Sequence, residues 1–426
     1  MKKSLLATAL IAAAITAQAE PAIPDGYTLE KTVIFSRHGI RAPLIGYGSA
    51  LAEATPQTWP KWQTEGGQLT PRGAELERLL GQYFDTWFNS TGLIPADSCP
   101  GDNILVYTNS LPRTIDTGKN FVAAAFPNCD VKINHLEEVG KMDNTFNPIV
   151  RSTVDDAFKA KAEKSIDDML GDGGFAALNT KMKDDYAVLE TVLDYDHSAT
   201  CEKEKVCDLD KINNTLTFAQ GKEPATSGVL RNGTGAADSF ILQYYEGFPE
   251  KDVAWGHIKT SEDWQKIVDI KNIYHDVLFG SPLLAKETAT PLLTFIQNSF
   301  SDQGEKHPLI DAARKAKVVL LVGHDSNVGS LLPLLKTAPY ELPGQYEKTP
   351  ISGKVLFEQW RDKNNKQLMR IEYVYQTTDQ LRNATPLTAD NPPQRVVLHI
   401  DGCKTDADGF CPMEDFEKAV TAALKS

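Results

Sequence analysis

Residues 33–43 read Val33-Ile34-Phe35-Ser36-Arg37-His38-Gly39-Ile40-Arg41-Ala42-Pro43. The first three are apolar and rich in β-propensity, which predicts a buried strand. The strand runs straight into a histidine set between two arginines. Cation-forming side chains crowded in this way repel one another, so an anion belongs among them. The forked donors of arginine match a tetrahedral oxyanion such as phosphate.

The same pattern recurs twice. Val318-Val319-Leu320-Leu321-Val322 is an unbroken apolar run, as in a strand buried on both faces, and it ends in Gly323-His324-Asp325-Ser326-Asn327. Ile104-Leu105-Val106-Tyr107 leads into Thr108-Asn109-Ser110 and then Arg113. Further strands are predicted over Leu368–Tyr375 and Arg395–Ile400. Helical periodicity lies between the strands over Arg72–Ser90 and Ser261–Leu278, with Ser261 as the expected N-cap of the latter. Alternating strands and helices predict an α/β fold: a central mixed, mainly parallel sheet flanked by helices. In such a sheet the carboxyl ends of parallel strands share one edge, where ligands bind. The three polar loops therefore converge on one pocket. Residues 152–258 differ in texture, being rich in Lys, Asp, Ala and Glu. They read as a mostly helical insertion into an α/β domain made of 20–151 and 259–426.

The opening MKKSLLATALIAAAITAQA has a basic start, an apolar centre and a small-residue cleavage site, so residues 1–19 are expected to be a secretory signal peptide of bacterial type. Removal of that segment takes the formal charge from −13 to −15, because Lys2 and Lys3 leave with it. An acidic surface excludes nucleic acid and anionic membrane as expected partners. Six cysteines, in an exported chain, form three sequential couples: Cys99 with Cys129, Cys201 with Cys207, and Cys403 with Cys411. No C-x-x-C spacing supports a metal site instead. The expected compartment is the periplasm.

The convergent residues suit one chemistry. A neutral imidazole at His38 is a competent nucleophile toward phosphorus, and Arg37, Arg41 and Arg113 keep it unprotonated by like-charge repulsion. The same arginines clamp phosphoryl oxygens, His324 adds a hydrogen bond, and Asp325 protonates the leaving oxygen and then activates water. The scheme needs no metal and no cofactor. Plainer readings exist: a surface ion pair for Arg113, a helix N-cap for Asp325, an exposed helical position for Glu246. His135, His197, His257, His275, His307 and His399 show no ligand spacing and read as structural or surface residues. Residues 401–409 (DGCKTDADG) lack the terminal glutamate of a calcium loop, and Gly233-Thr234-Gly235 is not a dinucleotide fingerprint.

Together, Arg37-His38-Gly39-Ile40-Arg41-Ala42-Pro43 and His324-Asp325 resemble the R-H-G-x-R-x-P and H-D signatures of the histidine acid phosphatases, the secreted branch of the histidine phosphatase superfamily. The resemblance covers nearly the whole chain after residue 19. It implies that His38 is the nucleophile, that Arg37, Arg41, Arg113 and His324 bind phosphate, and that Asp325 is the proton donor. It also implies a small-molecule phosphomonoester as partner, and an active site between the α/β domain and an inserted helical domain. Within the family, 243–249 (QYYEGFP), Asn327 and 408–412 (DGFCP) resemble members that hydrolyse sugar phosphates, whereas Gly39 is the choice of the phytase members. Glu246 and Leu44 match positions that crowd the pocket in the sugar-phosphate members, and so are expected to gate the substrate. A carboxylate there repels polyphosphorylated inositol and accepts a neutral sugar hydroxyl. The alternatives are a phytase and a non-catalytic periplasmic binding protein for phosphosugars. Asp325 argues against the binding protein, because a carboxylate beside a bound phosphate serves turnover and weakens mere retention.

Overall fold

The computed structural model describes residues 23–44, 50–96, 98–301 and 306–425. The expected signal peptide lies outside the described residues. Among the described residues ten strands occur, in chain order β1 (Thr28–Arg37), β2 (Ile104–Thr108), β3 (Ile133–Asn134), β4 (Thr215–Thr217), β5 (Ala225–Ser227), β6 (Val318–Gly323), β7 (Lys354–Arg361), β8 (Gln367–Tyr375), β9 (Gln394–Val397) and β10 (Cys411–Pro412). The nine longer helices are α1 (Pro71–Ser90), α2 (Pro112–Ala125), α3 (Asp156–Leu170), α4 (Lys183–Leu193), α5 (Val229–Glu246), α6 (Ser261–His275), α7 (Pro282–Phe300), α8 (Asp325–Leu334) and α9 (Met413–Lys425).

The central sheet is mixed, in the order β10-β8-β7-β1-β6-β2-β3, with β9 on β8. Strands β1, β6, β2 and β3 pair in parallel, and β7 to β10 complete the sheet antiparallel. Strand alternation divides its side chains between two apolar layers. Val33, Phe35, Val319 and Leu321 pack with α7, α8 and α9, while Ile34, Val318, Leu320 and Val322 pack with α1 and α2. This explains why 318–322 reads as a continuous apolar run: both faces are covered by helices.

Strand β7 escaped the sequence reading because Lys354 and Arg361 bound a short apolar run that Glu358 and Gln359 interrupt. Two of these charges are buried and paired. Lys354 donates to Glu77 on α1 (3.1 Å), to Ser36 Oγ (2.9 Å) and to the Ser352 carbonyl (3.1 Å). Glu358 accepts from Arg370 (3.0 Å) and Arg395 (2.9 Å). A periodicity argument counts such residues as polar, whereas their partners make them interior. The strand expected at Arg395–Ile400 is shorter, Gln394–Val397. The helix expected over Ser261–Leu278 is capped by Thr260, not Ser261: Thr260 and Asp263 form a reciprocal capping box. That helix ends at His275 and continues as a wider turn, Asp276–Gly280.

A second apolar cluster joins the helical part. It draws on Phe158, Tyr186, Leu189, Phe240, Ile267, Ile270, Val277 and Leu284, so this cluster takes in residues of α6 and the start of α7 as well as of 152–258. It also holds the short β4–β5 hairpin. The disulfides join Cys99 to Cys129, Cys201 to Cys207 and Cys403 to Cys411. No helix among the described residues is long and apolar enough to cross a membrane.

The fully buried Lys354–Glu77 pair gives a test of the packing beneath the His38 loop. Glu77→Ala strands a buried ammonium and is expected to destabilise the fold by about 3–5 kcal/mol in urea unfolding, whereas Glu77→Ala combined with Lys354→Met recovers most of that loss.

Candidate active site

The site follows from strand register. Arg37, the last residue of β1, lies opposite Gly323, the last of β6, so His38 and His324 emerge side by side. The His38 amide donates to the Gly323 carbonyl (3.0 Å), and the two imidazole rings stand 5.5 Å apart, edge to face. Thr108 of β2 pairs with Val322, which brings Asn109 and the start of α2 to the same edge. The Gly39 amide donates to Thr117 Oγ1 (2.9 Å), tying the His38 loop to the helix that carries Arg113. A Cβ at Gly323 would sit 2.5 Å from Asn327 Oδ1 and 2.9 Å from the Phe35 ring, so glycine is required at this strand end. The space it leaves lets Asn327 accept from the His324 amide (2.9 Å), making His324 the N-cap of α8 and Asp325 its first residue.

A cavity of about 290 Å³ opens between the sheet edge and helices α5 and α6. His38, Arg41, Arg113, His324 and Asp325 line it, as expected. Arg37 does not. Its side chain is 1% exposed and lies behind the floor, 3.1 Å from Asp325 and 2.9 Å from Glu347.

His38 Nδ1 lies 2.8 Å from the Gly39 carbonyl oxygen. A carbonyl only accepts, so Nδ1 carries the proton and Nε2 keeps a free lone pair. Burial, then Arg113, His324, Arg37 and Arg41, hold the His38 imidazole well below its ordinary value, hence neutral. His324 is held at about 3 by burial and by Arg113, against the opposing pull of Asp325. Burial and Arg41 bring Arg113 down to about 10. For Asp325 burial alone would raise the carboxyl, but Arg37, His275 and Lys271 override it and hold it ionised.

Two gate residues expected from sequence lie elsewhere. Glu246, at the end of α5, accepts a hydrogen bond from Thr70 Oγ1 (2.7 Å), the N-cap of α1, and does not line the cavity. Leu44 is 75% exposed and borders a neighbouring groove with Trp59 and Trp62. Besides Asp325 and Asp238, the cavity is lined by the carboxylate of Glu223, accompanied by Arg231 and Tyr274.

The helical body also supplies counter-charges that the sequence reading passed over. Asp238 on α5 binds Arg41 (2.8 Å) and Lys271 (2.8 Å), and Lys271 on α6 also reaches Glu347 (2.6 Å). Burial would raise the Asp238 carboxyl, but Lys271, Arg41 and Arg37 push it well below the carboxylate range. His275, read from sequence as structural or surface, lines the cavity with Nε2 3.6 Å from Asp325. The one available signal was helical spacing: Arg231, Thr234, Gly235 and Asp238 share a face of α5, and Lys271, Tyr274 and His275 a face of α6. Nothing in the sequence marks Glu347.

Residues 28–376 match the histidine phosphatase superfamily (branch 2). The chain is 42% identical to a glucose-1-phosphatase of Salmonella typhimurium, covering all of both chains. It is 30% identical to a phytase of Escherichia coli over 96% of this chain and 94% of that one. Among solved structures, the apo phytase of Hafnia alvei superimposes with a TM-score of 0.88 at 31% identity, covering 95% of this chain and 98% of the other. With its His38 and His324-Asp325 loops meeting at one sheet edge, the chain belongs to branch 2 of the histidine phosphatase superfamily.

Proposed function

We propose that the protein is an exported phosphomonoesterase that hydrolyses sugar phosphates, glucose 1-phosphate among them, through a phosphohistidine. The observation that carries this reading is the His38 imidazole: Nδ1 is committed to the Gly39 carbonyl, and the lone pair of Nε2 is left for chemistry inside a cationic cavity. Three disulfides and the opening of the chain support export to the periplasm.

The reaction has two displacements. His38 Nε2 attacks phosphorus, the ester P–O bond breaks, and Asp325 gives its proton to the departing sugar oxygen. Water then attacks the phosphohistidine, the N–P bond breaks, and Asp325 takes the water proton. Arg41 and Arg113, with Arg37 behind the floor and His324 beside it, stabilise charge on the phosphoryl oxygens in both steps. In the resting site Asp325 is ionised against Arg37. A phosphoryl dianion draws on the same cations and opposes a second negative charge, which raises the Asp325 carboxyl toward the protonated form it needs as an acid.

The preference for a sugar phosphate rests on Glu223. This carboxylate lines a small cavity and is raised by burial first and then by Asp325. Arg113 and Arg231 oppose that rise, and in its ionised form Glu223 accepts from a neutral hydroxyl and repels further phosphates. The greater identity to a glucose-1-phosphatase than to a phytase supports the same choice. Gly39 keeps phytate hydrolysis as the second reading.

His38→Ala is expected to lower kcat for p-nitrophenyl phosphate by at least about a thousandfold, while Asp325→Asn slows poor leaving groups more than good ones; near-normal turnover by the His38→Ala protein would remove the nucleophile assignment. Because His38 loses its lone pair only as pH falls through a depressed value, the acid limb of kcat/KM should lie below the ordinary histidine value of about 6.5. Wild-type enzyme should show higher kcat/KM for glucose 1-phosphate than for phytate, and Glu223→Gln should narrow that ratio by about tenfold, equivalent to roughly 1.4 kcal/mol; a wild-type preference for phytate would overturn the substrate reading.

A further inference from the structure

We propose that Asn109 is a positioning residue that fixes the tautomer of His324, holding its single proton on Nδ1, where it points at the phosphoryl group. This deepens the phosphatase reading and rests on it for the role of His324 as a phosphate donor.

Asn109 is fully buried at the end of β2. Its Oδ1 accepts from two backbone amides, Ser110 (2.8 Å) and Asp143 (2.9 Å). Those bonds decide which side-chain atom is which. With the amide turned over, an NH2 group would face two N–H donors. Its Nδ2 therefore points the other way, 2.6 Å from His324 Nε2 and 3.0 Å from Met142 Sδ. An NH2 group only donates, so Nε2 must accept and cannot carry hydrogen. The backbone leaves this arrangement little freedom. The Asn109 amide donates to the Val322 carbonyl (2.9 Å), its carbonyl accepts from Thr114 Oγ1 (2.6 Å), and Asn327 holds the His324 amide.

The consequence falls on the opposite ring nitrogen. His324 Nδ1 lies 3.5 Å from Arg113 Nη2. Two N–H donors at that separation do not bond to each other; they converge on an acceptor between them, and an oxyanion fills that position. A neutral imidazole has one proton. Were it on Nε2, Nδ1 would turn a lone pair toward the phosphoryl oxygens and convert a contact of attraction into one of repulsion. The charged and titratable groups facing His324 are Arg113 on α2, Arg37 and Arg41 from the β1 loop, His38 beside it, and Asp325 on α8. The cations among them keep the ring from acquiring a second proton, so the choice of nitrogen matters.

The tautomer is read directly in the resting wild-type enzyme by long-range ¹H–¹⁵N correlation of ¹⁵N-histidine-labelled protein, with His324→Gln identifying the signals. Protonated Nδ1 and bare Nε2 are expected; the reverse pattern overturns the proposal. A second measurement uses Asn109→Asp. That variant keeps both backbone bonds at Oδ1 but replaces the donor at Nδ2 with an acceptor, which draws the proton to Nε2. The new carboxylate against Nε2 also offsets the neighbouring cations and favours a second proton on the ring of the variant, so at low pH that ring still offers Nδ1–H, while at higher pH its single proton sits on Nε2 and Nδ1 is bare. The inhibition constant for inorganic phosphate, as a ratio of variant to wild type, should stay near one at about pH 4 and rise at least about tenfold by about pH 8, spanning the ordinary histidine value. A ratio that is flat across this range means Asn109 only braces the loop, and overturns the proposal. Absence of sugar-phosphate turnover in the wild type would sink the phosphatase reading and leave the tautomer result standing.

Discussion

The parallel pairing of β1 with β6, in the register that sets Arg37 against Gly323, is the constraint on which the site depends. One residue beyond that pair, on each strand, stands a histidine. Because the side-chain period of a strand is two, a slip by one residue would turn the apolar set of β1 out of its layers and separate the two imidazoles. The register is held by packing on both faces, and the chemistry is held by the register.

Crowded cations are the second organising fact. Arg37, Arg41, Arg113, Arg231 and Lys271 stand near Glu223, Asp238, Asp325 and Glu347, with the two imidazoles neutral between them. The carboxylates are not evenly placed. Asp238 and Glu347 pair with Arg37, Arg41 and Lys271, making a tightly paired foundation, whereas Arg113 forms no ion pair with the described residues and faces the cavity. An unpaired guanidinium beside a neutral imidazole is a receptive place for an anion and a poor place for a cation. Removing any one carboxylate of the foundation would leave buried positive charge uncompensated, so the counter-charges belong to the site as much as the arginines do.

The comparison with phytases separates scaffold from specificity. A TM-score of 0.88 at 31% identity means that the sheet and its helical partner are shared. Half of the residues that line the cavity come from α5, α6 and the segment before β5 that carries Glu223. The two histidines thus come from the sheet edge and the facing wall from the helical body, an arrangement that lets one vary while the other stays fixed.

Much of this was legible in the chain itself. Apolar strands running into Arg37-His38 and into His324-Asp325 carry the fold class and bring His38, His324 and Asp325 to one sheet edge, because a strand and the loop that follows it are local in sequence. The sequential cysteine couples were equally local. Glu246 falls outside the cavity for the opposite reason: it shares a helix with Asp238 but lies two turns further along, where Thr70 takes it up. His275 looked unremarkable until α6 was docked against Asp325, and the charged residues of β7 concealed a strand until their partners were found. The sequence alone determined which residues have the chemistry to act on phosphate. Only the tertiary structure decided which carboxylates face them, which histidine nitrogen is free, and which residue borders the substrate, since those depend on distances between segments that no local pattern encodes.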